Sequence, residues 1–295
     1  MSLYLVSAGM DWDVIITSFE TYQRAQRRSE RTIEGRRNLL RALARQTGKA
    51  PAEITRDDLL ARIGRGIAAS SMQRERSDLQ CFFAWAKEHH YIPKNPAKKL
   101  PAVTVPRGRP RPFTMEQVEA ILTSGAYTRT RHMILLGLYL GLRAFEIAKF
   151  RSDDIDHSGG FVRVVGKGGK DRQVPLHPVI AEIAEHYPPT GYWFPARGTN
   201  RGEHIHHRSV SDLMTRAIRR AGITDPKLTG HSLRHTFATQ LVAGGVDIRI
   251  VQELMRHESL QSTQIYTAVT LEQMRAGQDV LPTLPIPAAS GRMAA

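Results

Sequence analysis

Between Ile92 and Pro112 the chain reads IPKNPAKKLPAVTVPRGRPRP, and the six prolines in it forbid a continuous helix or a central strand. Everything else must fold on one side or the other of this segment. A Pro-rich stretch is extended and partly stiff, and interleaved lysines and arginines suit it either to separate two domains or to lie along a phosphate backbone. The expected organisation is therefore a domain over residues 1–91, a basic linker over 92–112, a second domain over 113–280 and a flexible Pro/Ala/Ser tail over 281–295. A chain of 295 residues gives both domains enough length for hydrophobic cores.

Before the linker the pattern is helical. One stripe of Trp12, Ile15, Ile16, Phe19 and Tyr22 predicts a helix over about Asp11–Arg27, and a second helix from Ser29 carries Ile33, Leu39, Leu40 and Leu43 and stops near Gly48. Thr55, followed by Asp57 and Asp58, reads as the N-cap of a third helix ending near Gly64; a fourth runs from about Ser70 past Leu79, Phe82, Phe83 and Trp85 to about His89. Their apolar faces can bury one another as a bundle. After the linker, Thr114 with Gln117 three residues on looks like a capping box. One or two apolar helices are expected over Thr130–Phe150 and a strand-turn-strand unit over Phe161–Leu176. Further helices are expected at about His177–His186, Arg208–Ala221, His231–Gly244, Ile248–Met255 and Ser259–Val269. The expected fold class is mainly α with a small β-sheet.

Charge is distributed unevenly. The formal net charge is +14, and residues 1–112 hold 21 Lys and Arg against 11 Asp and Glu, whereas residues 113–295 hold 21 against 17. A basic segment attached to a nearly balanced one suggests a polyanion grip joined to a working domain. Arg36, Arg37, Arg74 and Arg76 in the bundle, with Lys98, Lys99, Arg107 and Arg109 in the linker, are the candidates for the polyanion-facing surface. The basic residues lack a Trp/Phe-studded amphipathic anchor, which argues against a membrane surface. The longest run of apolar residues and glycine, Met133–Leu142, covers ten residues, about half of a bilayer span. The N-terminus shows no export signal and the single cysteine, Cys81, forms no internal disulfide, so a reducing cytoplasm is the expected compartment.

GKGGKD, Gly166–Asp171, lacks the spacing and following helix of a phosphate-binding loop and reads as a β-hairpin tip bearing Lys167 and Lys170. EHIHH, Glu203–His207, has no partner cluster and is not assigned a metal. The strongest signal is HSLRH at His231–His235 together with Arg143 in GLYLGLRAFEIAKF, His257 in LMRHES and Tyr266 in STQIYTAV. Moving a phosphodiester between oxygen atoms needs a nucleophile, cations on the non-bridging oxygens and a proton donor for the leaving oxygen. Arg143 and Arg234 suit the second task because a guanidinium is a permanently charged planar fork. A tyrosine phenol has a reference pKa of about 10 and needs an adjacent base to attack at neutral pH, for which His231 is the candidate, with His257 a further phosphate donor.

These residues and the text around them, GLRAFEIAKF, VVGKGGKDRQVPL and HSLRHTFATQL, resemble the tyrosine recombinase, or phage integrase, family over about Phe113–Val269, with spacings of 3, 23 and 9 residues between His231, Arg234, His257 and Tyr266. The resemblance implies a SAM-like core-binding bundle followed by an α+β catalytic domain. It implies Tyr266 as the nucleophile of a 3′-phosphotyrosyl intermediate, Lys167 rather than Lys170 as the acid for the leaving 5′-oxygen, and Glu146 as a supporting acid. It also implies double-stranded DNA with short inverted-repeat core sites as partner and no cofactor or metal. The expected assembly is a homotetramer on two duplexes, monomeric or weakly oligomeric when free, with a directionality factor as a candidate accessory protein. Only about ten residues precede the first helix, too few for the arm-binding domain of many phage integrases. LEQMRAGQDVLP resembles the terminal segment that docks into a neighbouring protomer. The expected role is integration and excision of mobile DNA in a bacterial cytoplasm, nucleoid-associated and phage-encoded in one version. The alternatives are a chromosome or plasmid dimer-resolving recombinase, a type IB topoisomerase-like nicking-closing enzyme, and a non-catalytic DNA-binding protein.

Overall fold

The computed structural model describes residues 11–106, 111–166, 171–197, 201–256 and 271–284. The chain divides into two compact units, Met1–Gly108 and Arg109–Ala295.

Four helices build the first unit: α1 (Trp12–Ala25), α2 (Glu30–Thr47), α3 (Arg56–Ile63) and α4 (Ala69–Glu88). Their ends follow local chemistry. Ser29 Oγ accepts the Thr32 N–H at 3.3 Å to start α2, and Gly48 ends it in the left-handed conformation at φ 64°. Thr55 and Asp58 cap α3 reciprocally, with Thr55 Oγ1 accepting from the Asp58 N–H and Asp58 Oδ2 accepting from the Thr55 N–H. Phe82 on α4 is the centre of the core, with ring centroids 5.9 Å from Trp12, 5.3 Å from Phe19 and 5.0 Å from Phe83. The unit extends past the expected boundary at residue 91. Ile92, Ala97 and Leu100 are buried in the same core, and Arg76 and Gln80 donate to the carbonyls of Leu100 and Ala97. The first half of the Pro-rich segment is thus packed, because its few apolar side chains find an open edge of the bundle and α4 supplies donors for its otherwise unpaired carbonyls.

The second unit is built around α6 (Thr128–Tyr139), in which every residue from Thr130 to Tyr139 is buried. A helix apolar on all sides must be surrounded, and α5 (Met115–Thr123), α8 (Pro178–Ala184), α9 (His207–Arg220) and α10 (Gly230–Ala243) belong to the same core. The apolar run does not continue as one helix. Gly141 turns the chain at φ 58°, a Cβ there would lie 2.7 Å from the Phe237 ring, and α7 (Ala144–Ala148) follows at once. A three-stranded antiparallel sheet in the order β1 (Ile155–Asp156), β2 (Phe161–Val165), β3 (Asp171–Pro175) comes next, with Val162 opposite Val174 and Val165 opposite Asp171. The short β1 is a strand that the sequence pattern did not suggest. The remaining helices are α11 (Ile248–Leu254) and α12 (Leu271–Gln278); the helix expected at Ser259–Val269 lies outside the described residues.

Helix α12 and the start of the tail pack on their own unit. Gln278 Nε2 donates to the Tyr139 carbonyl at 2.7 Å, the Tyr139 hydroxyl donates to the Pro282 carbonyl at 2.8 Å and accepts from the Leu284 N–H at 3.1 Å, and Leu281 is buried. Arg275 reaches the Gly159 and Gly160 carbonyls at the turn before β2. The expectation of a flexible tail from Leu281 is therefore corrected for residues 281–284, where the Tyr139 hydroxyl partners the backbone and the core buries Leu281, neither of which composition alone can show. Among the described residues no helix is long and apolar enough to cross a membrane.

Candidate active site

Arg143 is the N-cap of α7, and Glu146 is three residues on, so one turn of helix brings the two side chains together. Glu146 Oε2 accepts the Arg143 backbone N–H at 2.8 Å, and Oε1 accepts Arg143 Nη1 at 3.0 Å. The carboxylate is 1% exposed, and its second charged partner comes from the residue two positions past α11: Arg256 Nη2 donates to Oε2 at 3.0 Å. An ionised carboxylate that deep is tolerated only with charged partners and filled lone pairs, which this pair of arginines provides.

Arg234, on α10, is buried between the same elements. Its Nη1 donates to the Gly141 carbonyl and its Nη2 to the Met255 carbonyl, so it ties the turn before Arg143 to the end of α11. Arg256 Nη2 shares the Gly141 carbonyl at 3.1 Å. Burial, with Arg256 and Arg143 close by, lowers the Arg234 pKa to about 9, with Glu146 opposing; it remains a cation at neutral pH. Burial also lowers the pKa of Arg256, again against Glu146. Among the described residues the cluster thus holds three guanidinium groups around one carboxylate, with Arg143 at its exposed margin, its side chain 30% exposed. A surplus of fixed positive charge at a partly open site favours a polyanion.

His231 sits in the first turn of α10, three residues before Arg234, and is exposed. Its backbone N–H donates to the Thr229 hydroxyl that caps the helix, and its ring meets His235 edge-on at 4.8 Å. Burial, then Arg234, lowers the His235 pKa. Of the six residues expected to carry chemistry, the structure brings Arg143 and Arg234 close together and places His231 one turn before Arg234 on α10; Lys167, His257 and Tyr266 lie outside the described residues. Glu146 lies between Arg143 and Arg256. Arg256 was missed by sequence reasoning, which passed over LMRHES on the way to His257; the signal available was an arginine immediately before a candidate catalytic histidine at the end of an apolar helix.

The expected DNA-facing residues divide. Arg36 is spent inside the bundle on Asp78 at 2.8 Å and Gln23 at 2.8 Å, Arg37 pairs with Glu20, and Arg76 donates to Leu100. Those three tie together segments of their own unit, an outcome decided by acceptors far away in sequence: Asp78 for Arg36, Glu20 for Arg37 and the Leu100 carbonyl for Arg76. Arg74 keeps a mostly exposed side chain, 3.8 Å from Asp78. Lys98 and Lys99 are exposed, and Arg107 and Arg109 lie outside the described residues. In EHIHH, His206 Nδ1 accepts the Arg208 N–H at 3.3 Å as the cap of α9.

Comparison with known proteins bears on this geometry. The Phage integrase family matches residues 111–273. The tyrosine recombinase XerA of Thermococcus kodakarensis is 33% identical over 273 residues, covering 90% of this chain and 94% of its own. Among solved structures, an integrase from mycobacterium phage Brujita is 33% identical with a TM-score of 0.53, over 91% of this chain and 92% of that one. A lambda integrase tetramer bound to a Holliday junction is 20% identical with a TM-score of 0.70, over 87% of this chain and 77% of that one, a likeness of fold.

Proposed function

This chain belongs to the phage integrase family and is a tyrosine-type site-specific DNA recombinase, and we propose that it cuts and rejoins DNA through Tyr266 with Arg143 and Arg234 on the scissile phosphate. The observation that carries the reading is the Arg143–Glu146–Arg256 cluster with Arg234 on the shared Gly141 carbonyl. It is a preorganised cationic site whose geometry is set before substrate arrives.

In the proposed reaction His231 takes the Tyr266 proton and the phenolate oxygen attacks phosphorus. The bond to the 5′-oxygen breaks as Lys167 protonates it, leaving a 3′-phosphotyrosyl linkage and a free 5′-hydroxyl. A 5′-hydroxyl of the partner strand then attacks phosphorus and gives its proton to Lys167, the tyrosine leaves and regains its proton from His231, and a new phosphodiester joins the two strands without hydrolysis. Arg143 and Arg234 bear the charge that develops on the non-bridging oxygens in both directions, with His257 a further donor. Two exchanges need four active sites, and a homotetramer on two duplexes with inverted-repeat core sites is the assembly; the lambda integrase tetramer of the same fold supports it. Arg74, Lys98, Lys99, Arg107 and Arg109 are the proposed contacts to the DNA backbone. Integration and excision of mobile DNA, with a directionality factor choosing between them, is the proposed role, and the likeness to a phage integrase supports it.

Covalent capture tests the reading. Wild-type and Tyr266→Phe protein are expressed beside the DNA flanking the native gene, and detergent-resistant adducts are isolated and sequenced. Adducts at one short inverted-repeat site in the wild type alone are expected. Adducts in Tyr266→Phe overturn the nucleophile, and supercoil relaxation without recombinant products moves the protein to a nicking-closing role.

A further inference from the structure

Arg256 is the one non-glycine residue with left-handed backbone among the described residues of the second unit, at φ 50°. Its side chain is 4% exposed, and its Nε finds no acceptor among the described residues. Each of these features destabilises a fold: a Cβ crowds the carbonyl in left-handed geometry, and a buried cation with an unmet N–H loses water without full compensation. Glycine satisfies the backbone there at lower cost. Strain of this kind persists where the surroundings hold it, and it points from an observed outlier toward function.

What the residue gains is specific. Its Nη1 donates to the carbonyls of Leu140 at 3.1 Å and Leu254 at 2.8 Å, and its Nη2 to Gly141 at 3.1 Å and Glu146 Oε2 at 3.0 Å. Leu140 and Gly141 form the turn that leads into Arg143; Glu146 holds the Arg143 guanidinium; and the Gly141 carbonyl is the acceptor of Arg234. Three of the four bonds therefore end on groups that orient one of the two phosphate-binding arginines, and the fourth anchors Arg256 to α11 just before His257. Among the described residues none of these bonds leads to an exposed surface.

We propose that Arg256 is a positioning residue for strand cleavage: its guanidinium holds the Glu146 carboxylate and the Leu140–Gly141 turn in one arrangement, and thereby fixes Arg143 and Arg234 relative to each other and to the chain leaving α11. The inference rests on the recombinase reading above. A planar fork with charge is what this task needs, because one group must bind a carboxylate and three carbonyls in different directions. A lysine keeps the charge and gives up the fork.

The test is single-turnover cleavage of a nicked duplex carrying the captured recombination site, with site affinity and thermal melting measured on each variant. Arg256→Lys is expected to keep affinity within about threefold of wild type and to slow cleavage on the order of 10²-fold, the penalty of misplacing a catalytic group by about an ångström. Glu146→Gln/Arg256→Gln removes both members of the buried ion pair together, and so serves where Arg256→Lys does not fold; it is expected to bind the site and cleave slowly, but no more slowly than the slower of Glu146→Gln and Arg256→Gln alone, since both members act through one arrangement. Wild-type cleavage in either variant overturns the inference, as does a parallel loss of affinity and rate, or a double-variant loss equal to the product of the singles. A wild-type protein that forms no adduct instead overturns the recombinase reading on which the inference stands.

Discussion

Arg234 on α10 and Arg256 at the end of α11 donate to the same acceptor, the carbonyl oxygen of Gly141. Two cations, one on α10 and one just past α11, thus converge on one peptide unit, two residues before Arg143. The turn that breaks the apolar run after α6 is therefore also the turn that sets the spacing of the candidate phosphate-binding arginines.

Gly141→Ala should expose this dependence. The residue has φ 58°, and a Cβ would meet Phe237 Cδ1 at 2.7 Å, within an aromatic core residue that is 1% exposed. Left-handed strain and overpacking together predict a loss of about 2–4 kcal/mol, read by urea unfolding. DNA cleavage should fall further than unfolding at the assay temperature accounts for; an alanine variant with unchanged stability contradicts the contact.

Lys167→Ala is expected to slow adduct formation by about 10²-fold or more in a single-turnover assay, while Lys170→Ala leaves the rate near wild type. The reverse order assigns the general acid to Lys170. Site affinity should change little in either variant, because one positive charge contributes modestly to a multi-phosphate contact.

Stability should fall as the medium is acidified from about pH 6.5 to about 4, since burial holds the His132 and His177 pKa values at about 4, below their usual 6.5. The folded state prefers both rings neutral: His177 Nδ1 accepts the Val179 N–H at the start of α8, and His132 Nδ1 is hydrogen-bonded to the Tyr187 hydroxyl at 2.9 Å. The stabilisation is complete above the unfolded value and is lost as pH falls, because the unfolded chain then takes up the protons, at up to about 1.4 kcal/mol per pH unit for each ring. His177→Asn keeps a capping acceptor and should about halve the slope of unfolding free energy against pH over that window. An unchanged slope contradicts the assignment.

Tyr139→Phe removes the hydroxyl that bonds both Pro282 and Leu284. The expected cost is about 1–2 kcal/mol, with faster amide exchange confined to the segment after α12. Exchange that stays at the wild-type rate there means the apolar contacts of Leu281 hold the segment without the hydroxyl.

Much of the fold was legible in the residues. Ser29, Thr55 and Thr114 mark helix starts because capping is local, a side-chain oxygen meeting a backbone N–H three positions on, and Gly48 marks a helix end because glycine takes the left-handed conformation without strain. The apolar stripe of α1 and the alternation in β2 were equally readable, since periodicity depends on the geometry of one element. Boundaries that depend on packing were less so. Ile92 and Leu100 sit among prolines and lysines, and only an open edge of the bundle makes them core residues. The same holds for Arg36, whose charge reads as a solvated or DNA-facing group until α4 places Asp78 against it, 42 residues away.

The site divides along the same line. By itself the sequence supplied the proposed chemical inventory: Arg143, Lys167, His231, Arg234, His257 and Tyr266 are residue types suited to phosphodiester exchange, and their spacing carries the family resemblance. The Arg143–Glu146 pair was also within reach, because three residues is one helical turn. Only the tertiary structure decided that Arg256 closes the cluster and that Gly141 receives two cations. Those contacts span 110 and 115 residues in one case and 93 in the other, and no local rule links positions that far apart. A buried ion network is specified by the whole core that excludes water from it, so its members become visible together when the helices are packed, and not before.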